Sequence, residues 1–181
     1  PAWLFVAARH LDAAHNPLTG WQGHEAPFGF EIDYRPARTV EKFRVGTPPV
    51  LSYLPLLESL AVFEAADMAA LRAKSLALTD FFIELIEAKL GGHGLALATP
   101  RDHRERGSQV ALTHENGWPI MQALIACGVV GDFRAPDILR FGFTPLYVGF
   151  EGVWGAVATL EAVLASGLWR EPRFFERKLV T

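Results

Sequence analysis

The stretch "DMAALRAKSLALTDFFIELIEAKLGG", Asp67 to Gly92, constrains the fold more than any other. Leu71, Leu78, Phe82 and Leu85 recur at helical spacing and line one face. Asp67 suits the N-cap, and Gly91-Gly92 stop the helix. Its other face carries Arg72, Asp80, Glu84 and Glu87 and reads as solvated. A long one-sided helix needs a surface to cover, and strands follow it. "LALATP" and "SQVALTH" read as strands, "WPIMQALIACG" as a helix, "VVGDFR" and "ILRFGF" as strands, and "EGVWGAVATLEAVLA" as a closing helix. Strands interleaved with helices predict an α/β or α+β domain on one sheet.

The first third reads differently. Trp3 to Ala7, in "PAWLFVAARH", predicts a buried strand continuing from preceding sequence, which makes the chain the C-terminal part of something longer. Asp12 to Gly46 shows no sustained period, and irregular excursions of this length are usually functional or mobile. Within it "EKFRVGT" reads as a brief strand. At "GTPPVLSYLPLLESLAVFEAA" a helix is expected, with Thr47 as N-cap and Pro48 in the first helical position. Pro55 predicts a kink or a late start. Residues 1–49 are thus expected to end a larger domain, 50–66 to form a connecting helix, and 67–181 to form a smaller α/β domain. Ligand sites favour such domain interfaces.

Composition narrows the function. The chain has 181 residues, half of them hydrophobic, and a formal charge of −3, with no basic run to mark a nucleic-acid partner. It carries no transmembrane run or secretory signal. The single cysteine, Cys127, excludes an internal disulfide framework and fits a reducing cytoplasm. Its apolar setting, "IMQALIACGVV", predicts a buried structural thiol. His10, His15, His93, His103 and His114 lack the paired spacing of a zinc site, so no metal is expected. No Walker loop, dinucleotide fingerprint or Gly-x-Ser-x-Gly elbow occurs.

Three features carry candidate chemistry. Arg140 sits inside the apolar strand "ILRFGF", where a charge must reach water, pair with a carboxylate, or await an anionic ligand. On general grounds an ion pair with Asp132, Asp137 or Glu151 is favoured. The functional alternative is a bidentate clamp on a small-molecule carboxylate, which arginine's planar fork matches. Arg134 could serve likewise, but Asp132 and Asp137 flank it and favour a surface network. Trp21, in "GWQGHE", lies between glycines that let the backbone approach a ligand, and its indole offers a donor and a stacking face. An aromatic plug over the core explains it at least as well. Thr47, in "GTPP", places a hydroxyl where a helix start would suit a phosphate, although Pro48 and Pro49 have no N–H to give; a simple cap is an equal account.

In the order "PAWLFV", "LTGWQGHEAPFGFE", "RVGTPPV", "LRAKSLALTDFFIELIE", "RGSQVALTH", "ALIACGVVGDFRAPDILRFGFTPLY" and "VWGAVATLE", these segments resemble the kynureninase family from Pro1 to about Trp169. These are pyridoxal-phosphate hydrolases of the aspartate-aminotransferase-like fold. The resemblance implies a fold type I subunit, of which this chain holds the end of the large cofactor-binding domain and an α+β small domain. It implies that Trp21 and Thr47 contact the phosphate of pyridoxal 5'-phosphate from the neighbouring subunit of a homodimer. Arg140 matches the arginine that binds the substrate α-carboxylate, and His24 lies near the substrate ring. Gln22 stands where related enzymes can carry an aromatic residue.

The implied reaction is hydrolysis of L-kynurenine, and of 3-hydroxykynurenine, to anthranilate and L-alanine, a cytoplasmic step of tryptophan catabolism and NAD biosynthesis. The cofactor serves as electron sink, water adds to the γ-carbonyl, and the Cβ–Cγ bond breaks. The family's Schiff-base lysine lies upstream of Pro1, and Lys42, Lys74, Lys89 and Lys178 do not match it. The 181 residues alone are therefore expected to be inactive. "WREPRFFERKLVT" departs from the family pattern and carries no expected role. Rival readings are an aminotransferase or cysteine desulfurase of the same fold, and a non-catalytic α/β binding module.

Overall fold

The computed structural model describes residues 3–176. The chain divides into two compact units, one reaching Ala65 and the other starting at Ala66.

The first unit is mostly irregular. It holds a short helix α1 (Ala8–Leu11), 3₁₀ turns at Trp21–Gly23 and Val40–Phe43, and helix α2 (Val50–Glu64). Three expectations fail here. Trp3 to Ala7 form no strand, and Trp3 and Phe5 are largely exposed. The brief strand expected at "EKFRVGT" is instead the 3₁₀ turn Val40–Phe43. The Thr39 hydroxyl caps it by accepting from the Glu41 amide, and Lys42 is buried with its Nζ on the Leu11 carbonyl at 2.6 Å. Thr47 does not cap α2, which starts after Pro49. A residue that precedes proline is pushed out of the helical region, so Thr47 and Pro48 stay outside the helix. The helix then continues through Pro55. None of its residues is buried.

The second unit is a two-layer α+β domain, as the sequence suggested. Helix α3 (Met68–Leu90) is capped by Asp67, whose side chain accepts from the Ala69 amide at 2.9 Å. Strands β1 (Ala96–Leu97) and β2 (Gln109–Thr113), helix α4 (Gly117–Ala126), strands β3 (Asp132–Arg134) and β4 (Ile138–Gly142), and helix α5 (Phe150–Ser166) follow. The sheet order is β1-β2-β4-β3, with every neighbouring pair antiparallel.

Strand alternation decides which side chains enter the core. Val110 and Leu112 of β2 and Leu139 and Phe141 of β4 point to the helices. There they pack with Leu78 and Phe82 of α3, Ile120 and Leu124 of α4, and Val153, Val157 and Leu160 of α5. Burying each such side chain is worth about 1.5–3 kcal/mol. Cys127 does not join this core. It is the C-cap residue of α4, three positions past the last buried residue Leu124, and it is exposed.

The face of α3 expected to be merely solvated also has work to do. Asp80 pairs with Arg106, Glu87 pairs with Arg101, and Arg72 donates to the carbonyls of His103 and Arg106, each at 2.9 Å. Together they fasten the loop between β1 and β2 onto the helix.

Candidate functional site

Arg140 is the central residue of β4, and the same alternation explains its charge. Leu139 and Phe141 face the helices, so Arg140 takes the other face of the sheet with Ile138 and Gly142. Its cross-strand neighbours are Ala111 on β2 and Asp132 on β3. The apolar run in the sequence therefore does not enclose the guanidinium; it lies on the opposite side of the pleat.

The guanidinium meets Asp132 through one contact, Nη2 to Oδ2. Of the three acids named from the sequence, Asp132 is the one it meets. Arg134 approaches the same Oδ2 at 3.5 Å. Arg140 keeps 27% of its side-chain surface and Asp132 keeps 47%, so the pair is half in water. The Arg140 Nε is buried and has no hydrogen-bond partner. A guanidinium prefers to meet a carboxylate with two parallel N–H donors. Here one contact is made, and an inner donor is left over.

The first unit holds the other candidates. Trp21 and His24 line one groove of about 450 Å³ with Pro27, Phe30 and Tyr34. Thr47 lines a different groove of about 390 Å³ with Trp3, Phe43 and Tyr53. The two are nonetheless linked through the backbone. A Cβ on Gly20 would fall onto the Val45 carbonyl, and one on Gly23 would come within 2.8 Å of the Lys42 and Arg44 carbonyls. The glycines around Trp21 thus permit close approach to the 42–45 segment that leads into Thr47. They hold the turn with the half-exposed Trp21 indole, 46% accessible, against the backbone that leads to the exposed Thr47.

His24 is buried and both ring nitrogens are engaged. Nδ1 accepts from the Ala26 amide at 2.9 Å, which leaves Nε2 to donate to the Asp33 carbonyl at 3.2 Å. His114 braces its own turn in the same way, accepting from the Asn116 amide and donating to the His93 carbonyl. His24 can offer a ligand its ring surface, stacked edge-on against Tyr34, but no spare hydrogen bond. Glu31, also in this groove, is hydrogen-bonded by Arg35, which holds its carboxyl below the usual range. Phe30 was not singled out in the sequence. It adopts φ 51°, which is uncommon for a bulky residue, and is 87% exposed at the groove. Nothing in the residue type announces that conformation.

The described lysines are all committed. Lys42 is held by carbonyls, Lys74 donates to the Pro145 carbonyl at 2.7 Å, and Lys89 pairs with Glu161 beside the Trp154 ring. Lys178 lies outside the described residues. Among the described residues no group of three potential metal ligands occurs, and no helix is long and apolar enough to cross a membrane.

Residues 71–160 match the family described as the kynureninase C-terminal domain. The chain is 49% identical over 181 residues to kynureninases of Burkholderia mallei (strain SAVP1) and Burkholderia pseudomallei (strain K96243), covering all of this chain and 44% of each relative. It is 45% identical over 180 residues to the kynureninase of Pseudomonas fluorescens, covering 99% of this chain and 43% of the relative. The chain thus spans under half the length of the curated relatives it matches. Residues 71–160 belong to the kynureninase C-terminal domain family, within a chain similar to kynureninases from end to end.

Proposed function

We propose that these residues act within a pyridoxal-phosphate enzyme that hydrolyses L-kynurenine, and its 3-hydroxy form, to anthranilate and L-alanine. The similarity to kynureninases along the whole chain carries this reading. The site chemistry is compatible with it. Pyridoxal phosphate, when bound, supplies the electron sink for cleavage beside the amino-acid Cα. Trp21 and Thr47 bring an indole N–H and a hydroxyl on segments whose backbones approach closely at Gly20 and Val45, a donor set suited to phosphate oxygens. They line separate grooves, which fits residues contributed to a phosphate site that another subunit of a cytoplasmic homodimer completes.

Arg140 binds and orients the substrate. Its fork takes the α-carboxylate and fixes the rotation of the amino acid about Cα, a contribution of positioning rather than of proton transfer. The buried Nε of Arg140 suits this role, since a second carboxylate oxygen would satisfy it. His24 packs its ring against the substrate's aromatic end without hydrogen-bonding to it.

The test is Arg140→Ala in the full-length enzyme. Cofactor absorbance should persist while kcat/KM for kynurenine falls by about 2–5 kcal/mol in transition-state terms, read from anthranilate fluorescence. Normal turnover would refute the assignment. The 181 residues expressed alone should release no anthranilate.

A further inference from the structure

Three side chains share the sheet face opposite the helices: Asp132 and Arg134, two apart on β3, and Arg140, directly across the ladder from Asp132. Two guanidinium groups converge on one carboxylate oxygen, Asp132 Oδ2. Arg140 is the more enclosed of the two, with 27% of its side chain accessible against 63% for Arg134. It also has the worse partner geometry, a single contact with Nε left unpaired in the interior. A carboxylate docking edge-on to Nε and Nη2 would supply the missing bond and take over the one now made to Asp132.

We propose that Asp132 is a placeholder for the substrate carboxylate. It holds Arg140 while the site is empty and passes to Arg134 when the substrate arrives. The inference rests on Arg140 being the carboxylate clamp. Before the exchange, one carboxylate serves two cations. Afterwards each cation has its own, so no charge on this face is stranded at either stage. Asp132 is suited to move because nearly half of its side chain is in water and Arg134 is already within 3.5 Å. It is a positioning residue, and it competes with the substrate.

Competition gives a signed prediction. In the full-length holoenzyme, Asp132→Asn keeps the shape and removes the competing charge. The kynurenine KM should fall about two- to fivefold, the range that an ion pair of this exposure is worth, with kcat changing less than KM. Arg134→Ala removes the alternative partner from an exposed position. It should raise KM by a similar factor, and it should have no further effect once Asp132 is asparagine. A raised or unchanged KM in Asp132→Asn would overturn the proposal. If that variant does not fold, an unchanged KM in Arg134→Ala overturns it alone. Arg140→Ala separates the two levels. If it retains normal turnover, the clamp itself is wrong; if it loses turnover while the other variants leave KM unmoved, only the exchange is wrong.

Discussion

Asp80 closes on the guanidinium of Arg106, whose side chain is 1% exposed. Arg106 is satisfied from every side: Nε donates to the Thr79 hydroxyl at 3.3 Å, and Nη1 donates to the Arg101 carbonyl at 2.6 Å. Burial, with the like charge of Arg72 second, pulls the Arg106 pKa below its ordinary value, yet a guanidinium keeps its proton throughout the working range. Arg140 and Asp132 form the opposite case, a pair open to water with a donor unused. One arginine is built into the domain and the other is left able to exchange partners.

The contrast is measurable as stability. Asp80→Ala strands an enclosed cation that retains only neutral acceptors, and it should cost about 1–3 kcal/mol. Asp132→Ala breaks a pair screened by solvent and should cost less than about 1 kcal/mol. Urea denaturation of the two variants beside the parent protein gives both numbers. Equal losses would mean that Arg140 is as structural as Arg106.

Gly20→Ala tests how the turn that carries Trp21 is held against the segment entering Thr47. The added methyl lands on the Val45 carbonyl, a backbone atom that cannot rotate aside. Overpacking of this kind costs about 1–3 kcal/mol and should part the Trp21 turn from the segment entering Thr47. In the full-length enzyme the expected result is weaker pyridoxal-phosphate binding, followed by cofactor absorbance on dialysis. Ala replacing the open Gly46, where a Cβ meets nothing within 4 Å, is the matched control and should leave binding nearly unchanged.

His24→Phe separates the ring from its nitrogens. The phenyl keeps an aromatic surface in the groove beside Tyr34 but abandons the Ala26 amide and the Asp33 carbonyl. Stability should drop by about 1–3 kcal/mol, the cost of leaving such groups unpaired. Kynurenine KM should stay within about threefold if His24 contributes its ring face alone, since one such aromatic contact is worth about 0.5–1.5 kcal/mol. A much larger rise in KM in the folded variant would show that a ring nitrogen touches the substrate.

The second unit was legible from sequence because its signals are local and periodic. Asp67, Leu78, Phe82 and Gly91 define α3 without outside help, and the strands from Gln109 to Gly142 appear where alternation and turn residues put them. In the first unit the irregular stretch from Asp12 to Gly46 and helix α2 were legible, but the local turns were not, because long-range contacts decide them. Lys42 folds its segment into a turn by reaching back to Leu11, and nothing near position 42 signals that. Arg106 escaped notice for the same reason: its charged neighbours Arg104 and Glu105 suggest surface, while its enclosure comes from α3, 26 positions away at Asp80. Arg140 was noticed for a reason that proved incomplete. Its apolar neighbours in sequence are on the other side of the sheet, and what makes it unusual is one unpaired nitrogen.

Helix α2 presents a different kind of mismatch. Its sequence, "VLSYLPLLESLAVFE", is apolar almost all round, yet none of its residues is buried; Leu51 is 84% exposed and Leu57 is 61% exposed. A helix of that composition is normally covered on every side. The 181-residue chain on its own should therefore self-associate with rising concentration through this surface. Sedimentation velocity across a concentration series is the check, with Leu51→Glu/Leu57→Glu as the comparison. The charged variant should shift the distribution toward monomer while leaving the melting of the unit that starts at Ala66, which has its own core, in place. If the parent chain stays monomeric at every concentration, the exposed leucines of α2 are not a contact surface.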